Sequence, residues 1–157
     1  MKVYSYKTLI NETGNPYIEK DKSFQIDGRR TYTTDSDVAE FVYRSLGIQK
    51  CAEEFLYTIC LDNKNHLIGC FEISHGTVDA SYCSPREIFQ KALMIGAVQI
   101  ILTHNHPGGD PTPSGADIAA TNRVREGGDI LGVKLLDHIV VTQGKWCSMR
   151  ESGYIKY

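Results

Sequence analysis

Val98-Gln99-Ile100-Ile101-Leu102-Thr103-His104-Asn105-His106 is the stretch on which the fold turns. Its first six residues form an apolar run of strand length, and such a run predicts a strand covered on both faces. A strand covered twice belongs in the middle of a layered α/β structure. The run passes without a break into two histidines one residue apart. A loop follows, stiffened by Pro107, Pro111 and Pro113. Ser114 then opens a helix, with Asp117 as its capping-box partner.

Working outward, the pattern alternates between helix and strand. Ser84-Pro85-Arg86-Glu87 reads as a helix start: Ser84 caps, Pro85 takes the first helical position and Glu87 closes the box. Ile88, Phe89, Ala92, Leu93 and Ile95 give that helix its buried stripe, and Gly96 follows. Upstream, Phe55 to Leu61 and His66 to Ile73 read as two arms of a hairpin joined by Asp62-Asn63-Lys64-Asn65, with Gly76 as the break. Thr34 with Asp37 resembles a capping box before Val38, Phe41, Val42 and Leu46, and Gly47 ends that helix. Residues 1–30 are polar and mixed. They predict a short strand near Val3–Leu9, then irregular chain, as an N-terminal extension on a main domain at 31–157. Downstream, the helix from Ser114 is expected to end near Gly127–Gly128. Val133 to Val141 reads as a strand, and Gln143–Gly144 turns the chain into a last strand around Trp146–Met149. The order predicts an α/β sandwich with a central mixed sheet.

Composition bounds the function. The chain has 157 residues, 41% hydrophobic and 23% charged, with a net charge of −2 at pH 7. That fits one globular domain with no biased tract. Nucleic-acid binders usually show a basic face, yet Arg29–Arg30 are the only adjacent arginines, which disfavours nucleic acid as a partner. The five cysteines, Cys51, Cys60, Cys70, Cys83 and Cys147, are odd in number and contain no C-x-x-C. Reduced thiols in a cytoplasm fit that pattern best. Met1 to Lys7 has no apolar signal core, and no apolar run approaches the roughly 18 residues of a membrane helix.

The histidines carry the chemistry. Alternate residues of an extended chain point the same way, so His104 and His106 project from one side at the end of a strand. Asp117 lies in the first turn of the next helix, and the intervening loop can fold its carboxylate back toward them. Two nitrogens and one oxygen make the three protein ligands of a catalytic zinc site, with a fourth position open to water. Taken singly, each part has an ordinary reading. H-x-H can be an accident of a strand, Ser114 with Asp117 a plain cap, and the Pro-Gly clusters plain turns. Together they form H-x-H-x7-S-x-x-D without gap or substitution.

That spacing resembles the JAMM metalloprotease motif of the MPN/JAB domain family. Ser84-Pro85-Arg86-Glu87, His104-Asn105-His106-Pro107, Pro113-Ser114, Leu136-Asp137-His138 and Glu53-Glu54-Phe55 leading into Leu61-Asp62 resemble its bacterial RadC-like branch over about residues 31–153. Gly108 stands where that branch often has Ser, a change between two small loop residues. The helical N-terminal domain of full-length RadC proteins is not expected within these 157 residues. The resemblance implies a deaminase-like α/β/α sandwich and a zinc-dependent hydrolase of amide bonds, of metallopeptidase or isopeptidase type. It also implies an upstream glutamate that contacts the metal-held water without ligating the metal. The RadC-like pattern places that glutamate two residues before the Phe, which selects Glu53 as general base and leaves Glu54 a solvated strand-end charge. Ser114 is expected to donate to the developing oxyanion, with helix capping as its other role. Asp137 and His138 either orient a ligand or serve structure alone. Thr121 reads as local helix support, and His66 and His75 as surface residues.

Two rivals share some of these letters. A nucleobase deaminase needs H-x-E with P-C-x-x-C, and neither occurs. A DNA-associated accessory module with a structural metal is the other, and a structural zinc calls for four protein ligands. The substrate expected is a peptide or protein-conjugate tail.

Overall fold

The computed structural model describes residues 1–28, 31–76 and 83–155. The paired arginines at 29 and 30 lie outside them. The chain order is β1 (Lys2–Ile10), β2 (Pro16–Gln25), α1 (Asp35–Phe41), β3 (Glu54–Leu61), β4 (Leu67–Gly76), α2 (Pro85–Met94), β5 (Gln99–Asn105), α3 (Gly115–Leu131), β6 (Lys134–Val141) and β7 (Trp146–Ser148). The strands form one mixed seven-stranded sheet in the order β2-β1-β4-β3-β5-β6-β7. β5 runs antiparallel to β3 and parallel to β6, which makes it the interior strand its apolar run predicts.

Each face of the sheet has its own core. On one, Val38, Phe41, Val42 and Ile48 from the α1 region pack on Tyr57, Ile59, Leu61, Ile101, Ile139 and Val141. On the other, Ile88, Phe89 and Ala92 of α2 and Ala120 and Val124 of α3 pack on Leu56, Cys60, Ile100, Leu102 and Leu135. Alternation along β3 and β5 feeds both cores at once. The result is the α/β/α arrangement with a mixed central sheet. Thr34 and Asp37 form the expected reciprocal cap. Gly47 ends the following π turn (Val42–Leu46) in the left-handed region, with φ 71°.

Four local expectations change. The chain after β1 is not irregular: β2 returns as an antiparallel arm, and β1 meets β4 at Ser5 and Cys70. β2 reads Pro-Tyr-Ile-Glu-Lys-Asp-Lys-Ser-Phe-Gln and is exposed along most of its length, because it is the edge strand of the sheet. An edge strand carries charges that discourage further pairing, so it lacks the apolar alternation by which strands are recognised. Ser84 occupies the N-cap of α2 with Pro85 behind it, but its side chain makes no capping bond, and Glu87 pairs with Arg86 instead. Leu93 is half exposed, outside the stripe formed by Ile88, Phe89 and Ala92. Finally, α3 runs through Gly127 and Gly128 to Leu131. A Cβ on Gly128 would lie 2.3 Å from the Val133 carbonyl oxygen and 3.2 Å from the Phe89 ring. That glycine is there for close packing of α3, and the helix stops at Gly132, φ 73°.

Candidate metal centre

The site forms where β5 ends. His104 is the last residue but one of the strand and is buried, while His106 follows it and is partly open to solvent. The backbone N–H of His106 donates to the Val141 carbonyl at 3.0 Å, which extends the β5–β6 pairing through the second histidine. On α3, Ser114 Oγ accepts from the Asp117 N–H at 3.1 Å, and the Ser114 N–H and hydroxyl donate to Asp117 Oδ2 at 2.7 and 2.6 Å. This box is the expected one, and it aims the carboxylate at the histidines. His104 Nε2 lies 3.0 Å from His106 Nε2 and 3.7 Å from Asp117 Oδ1, and His106 Nε2 lies 3.6 Å from Asp117 Oδ2. Among the described residues, these three form the group of His, Cys, Asp or Glu side chains close enough to share an ion, with all ligand atoms within 4.8 Å.

The tautomers follow from the partners. His106 Nδ1 lies 2.9 Å from the Asp110 carbonyl oxygen. A carbonyl only accepts, so Nδ1 carries the proton and Nε2 presents a lone pair. His104 Nδ1 lies 2.7 Å from His138 Nε2, and His138 Nδ1 lies 2.6 Å from the Thr121 hydroxyl. Complete burial pushes the His138 imidazole well below its ordinary pKa and keeps it neutral. Burial acts to raise the Asp117 carboxyl, but the adjacent His104 and His106 imidazoles and the Ser114 bond overcome it and hold the group far below the usual carboxylate range. Asp117 in turn raises His106 above the ordinary imidazole value against the cost of burial, and Glu54 adds to the effect.

A zinc ion fits this arrangement. Tetrahedral bonds of about 2.0–2.1 Å place neighbouring ligand atoms about 3.3 Å apart, and the three separations here run from 3.0 to 3.7 Å.

The upstream glutamates fall differently from the expectation. Leu56 stands opposite His104 across the β3–β5 pair. Alternation then puts Glu54 on the same face, level with His106. Glu54 is half-buried, whereas Glu53 is exposed ahead of the strand. The register puts Glu54 on the histidines' face, where its charge acts on His106, and leaves Glu53 exposed ahead of the strand. Ser114 is brought in through Asp117.

Three residues take roles that the sequence had left open or not assigned. Asn105, between the histidines and 1% exposed, turns its amide across the sheet. Its Oδ1 accepts from the Phe55 N–H at 2.7 Å, and its Nδ2 donates to the Glu53 carbonyl at 2.9 Å. It therefore grips the chain on both sides of Glu54. Its one visible signal was an amide between two ligands at a strand end. His138, not Asp137, reaches a ligand. Asp137 instead accepts from the Ser148 hydroxyl at 2.6 Å and the Arg150 N–H at 2.9 Å, closing the turn after β7. Thr121 supports its helix by donating to the Asp117 carbonyl at 2.6 Å, but it also meets His138. Among the other histidines, His66 is partly buried and pairs with Asp62 at 3.0 Å in the β3–β4 turn. His75 is exposed, stacked on Phe55 with ring centroids 5.4 Å apart.

A mixed-sheet α/β domain with a His-His-Asp cradle at the carboxyl end of a central strand is a defined class of possible metal centre. The RadC-like JAB domain model matches residues 32–154, and the chain belongs to that family. It is 43% identical over 133 residues to a UPF0758 protein of Methanococcoides burtonii, covering 84% of this chain and 57% of the relative. A UPF0758 protein of Methanosarcina barkeri is 38% identical over 135 residues, covering 86% and 58%. One from Pelobacter propionicus is 39% identical over 134 residues, covering 83% and 58%. The chain thus spans somewhat over half the length of these relatives. Among the described residues, no helix is long and apolar enough to cross a membrane.

Proposed function

We propose that this chain is a zinc-dependent hydrolase of amide bonds, acting on a peptide or on the tail of a protein conjugate. One observation carries the reading. Two imidazole nitrogens stand 3.0 Å apart, each within 3.7 Å of one carboxylate. Two neutral rings that close need a cation between them, and below neutral pH a proton on His106 can serve where a metal ion would otherwise sit. His104, His106 and Asp117 would hold it, and three ligands leave a position open, as catalytic sites require.

Zinc held there supplies a water acidic enough to lose a proton near neutral pH and polarises the amide carbonyl. Glu54 would move the protons, accepting one as water adds and returning it to the departing nitrogen. This assignment replaces Glu53 on the strength of the β3–β5 register. Ser114 is an exposed residue, and its hydroxyl would turn outward to a developing oxyanion. Its backbone N–H, 2.7 Å from Asp117 Oδ2, keeps the carboxylate in place when it does. The Asp110 carbonyl holds His106 from the loop.

The test is a peptide and isopeptide library presented to zinc-loaded protein. Cleavage should stop with chelator and return with zinc. Cleavage that survives chelation and dialysis contradicts the proposal.

A further inference from the structure

The ligands come from two separate elements, His104 from β5 and Asp117 from α3, and one buried hydrogen-bonded circuit joins them. The Thr121 hydroxyl, one turn after Asp117, lies 2.6 Å from the Asp117 carbonyl oxygen and 2.6 Å from His138 Nδ1. His138 Nε2 lies 2.7 Å from His104 Nδ1. Thr121 is 0% exposed, His138 3% and His104 1%, so water does not compete for these bonds.

The circuit has a fixed polarity. A hydroxyl has one proton, and the Asp117 carbonyl can only accept, so Thr121 donates to it. Thr121 then has only lone pairs to offer His138, and His138 Nδ1 must be the donor. His138 Nε2 is left as an acceptor, and His104 Nδ1 must carry the proton that meets it. His104 Nε2 is thereby left as the lone pair that faces His106. Reversing the chain would put a proton on His104 Nε2, in the middle of the cradle, and would leave two oxygens 2.6 Å apart with no proton between them.

We propose that His138, held by Thr121, is a positioning residue that commits His104 to binding through Nε2 and ties it to the helix carrying Asp117. The proposal rests on the reading of His104, His106 and Asp117 as metal ligands. Such outer partners fix the tautomer and ring orientation of a ligating histidine, and their loss typically costs about 10–100-fold in metal affinity or activity. The neighbouring Met149 thioether, 3.7 Å from the Thr121 hydroxyl, is too weak a partner to replace either bond.

The experiment compares Thr121→Val, which keeps the shape and removes the hydroxyl, with Thr121→Ser, which keeps the hydroxyl, and with His138→Leu. Zinc affinity is measured by chelator competition, and the protonation of His104 Nδ1 by long-range proton–nitrogen correlation in metal-free and zinc-loaded protein. The parent should show a proton on His104 Nδ1 in both forms. Thr121→Val and His138→Leu should weaken zinc by about 10–100-fold, while Thr121→Ser stays near the parent. A merely structural role would lower the melting temperature without this dependence on the hydroxyl. If His138→Leu does not fold, the two Thr121 variants carry the comparison. Parental zinc affinity in Thr121→Val, or a His104 Nδ1 without a proton, overturns the proposal. A parent that binds no zinc defeats the ligand reading instead, and the protonation of His104 still decides whether the circuit exists.

Discussion

Asn105→Ala tests how the sheet holds the start of β3, and its cost can be worked from two bonds. The Asn105 amide satisfies the Phe55 N–H at 2.7 Å and the Glu53 carbonyl at 2.9 Å. Its 3.5 Å approach to the Cys51 carbonyl adds little. Truncation removes both partners together, and a buried polar group left without one costs about 1–3 kcal/mol. Glu53 lies at an exposed bend, so water can reach its carbonyl and lower that share. The expected destabilisation is about 2–4 kcal/mol, a large part of the roughly 5–15 kcal/mol that holds a domain together. Asn105→Asp keeps an acceptor for Phe55 but sets a buried carboxylate against the Glu53 carbonyl, so it should cost at least as much as the truncation. The assay is urea unfolding of metal-free protein, with hydrogen exchange read at the Phe55 amide. Asn105→Ala should speed that exchange, and in zinc-loaded protein it should lower turnover more than zinc content, because the segment bearing Glu54 loses its anchor. An unfolding midpoint within error of the parent, with Phe55 still protected, would mean that the Asn105 amide does not anchor β3.

The same geometry sets three further expectations. Glu54→Gln keeps shape and zinc but cannot accept a proton, so turnover should fall by about 10²–10⁴-fold, while Glu53→Gln stays near the parent; the reverse result moves the base back to Glu53. For metal-free protein, Asp117 is held below its unfolded value, so its contribution is present above about pH 3.9 and is lost as pH falls through the folded value. His106 is raised, so its contribution is full below about pH 6.5 and is lost as pH rises through the folded value. The stability difference between parent and Asp117→Asn should therefore be largest between about pH 4 and 6.5 and shrink above that window. Zinc affinity should run the other way, weakening as protons compete for His106. Urea midpoints and zinc titrations across a pH series check both trends, and a flat stability difference contradicts the first.

Much of the site was legible because its parts are local. His104 and His106 share a face by strand alternation, and Ser114 with Asp117 is a cap readable at a spacing of three. The interior place of β5 was legible from an apolar run with no alternation. What was not legible depends on partners distant in sequence. The choice between Glu53 and Glu54 is a matter of one residue of register, and it is set by Leu56 standing opposite His104. His138 and Asp137 are adjacent and both polar, and only the parallel pairing of β6 with β5 and the packing of α3 decide which one meets a ligand. β2 escaped notice because an edge strand has no buried face to impose a period. The end of α3 was misplaced because Gly127 and Gly128 look like punctuation, whereas Gly128 is required by the nearness of Val133 and Phe89.

Metal binding by His104, His106 and Asp117 is decided by zinc stoichiometry. Elemental analysis after reconstitution and desalting is made on the parent and on His104→Ala, His106→Ala and Asp117→Ala, with folding checked by circular dichroism. About one zinc per parent chain is expected, by the three-ligand argument, and near none in folded variants. A parent that retains no zinc, or variants that retain it in full, would mean that these three residues do not hold the ion.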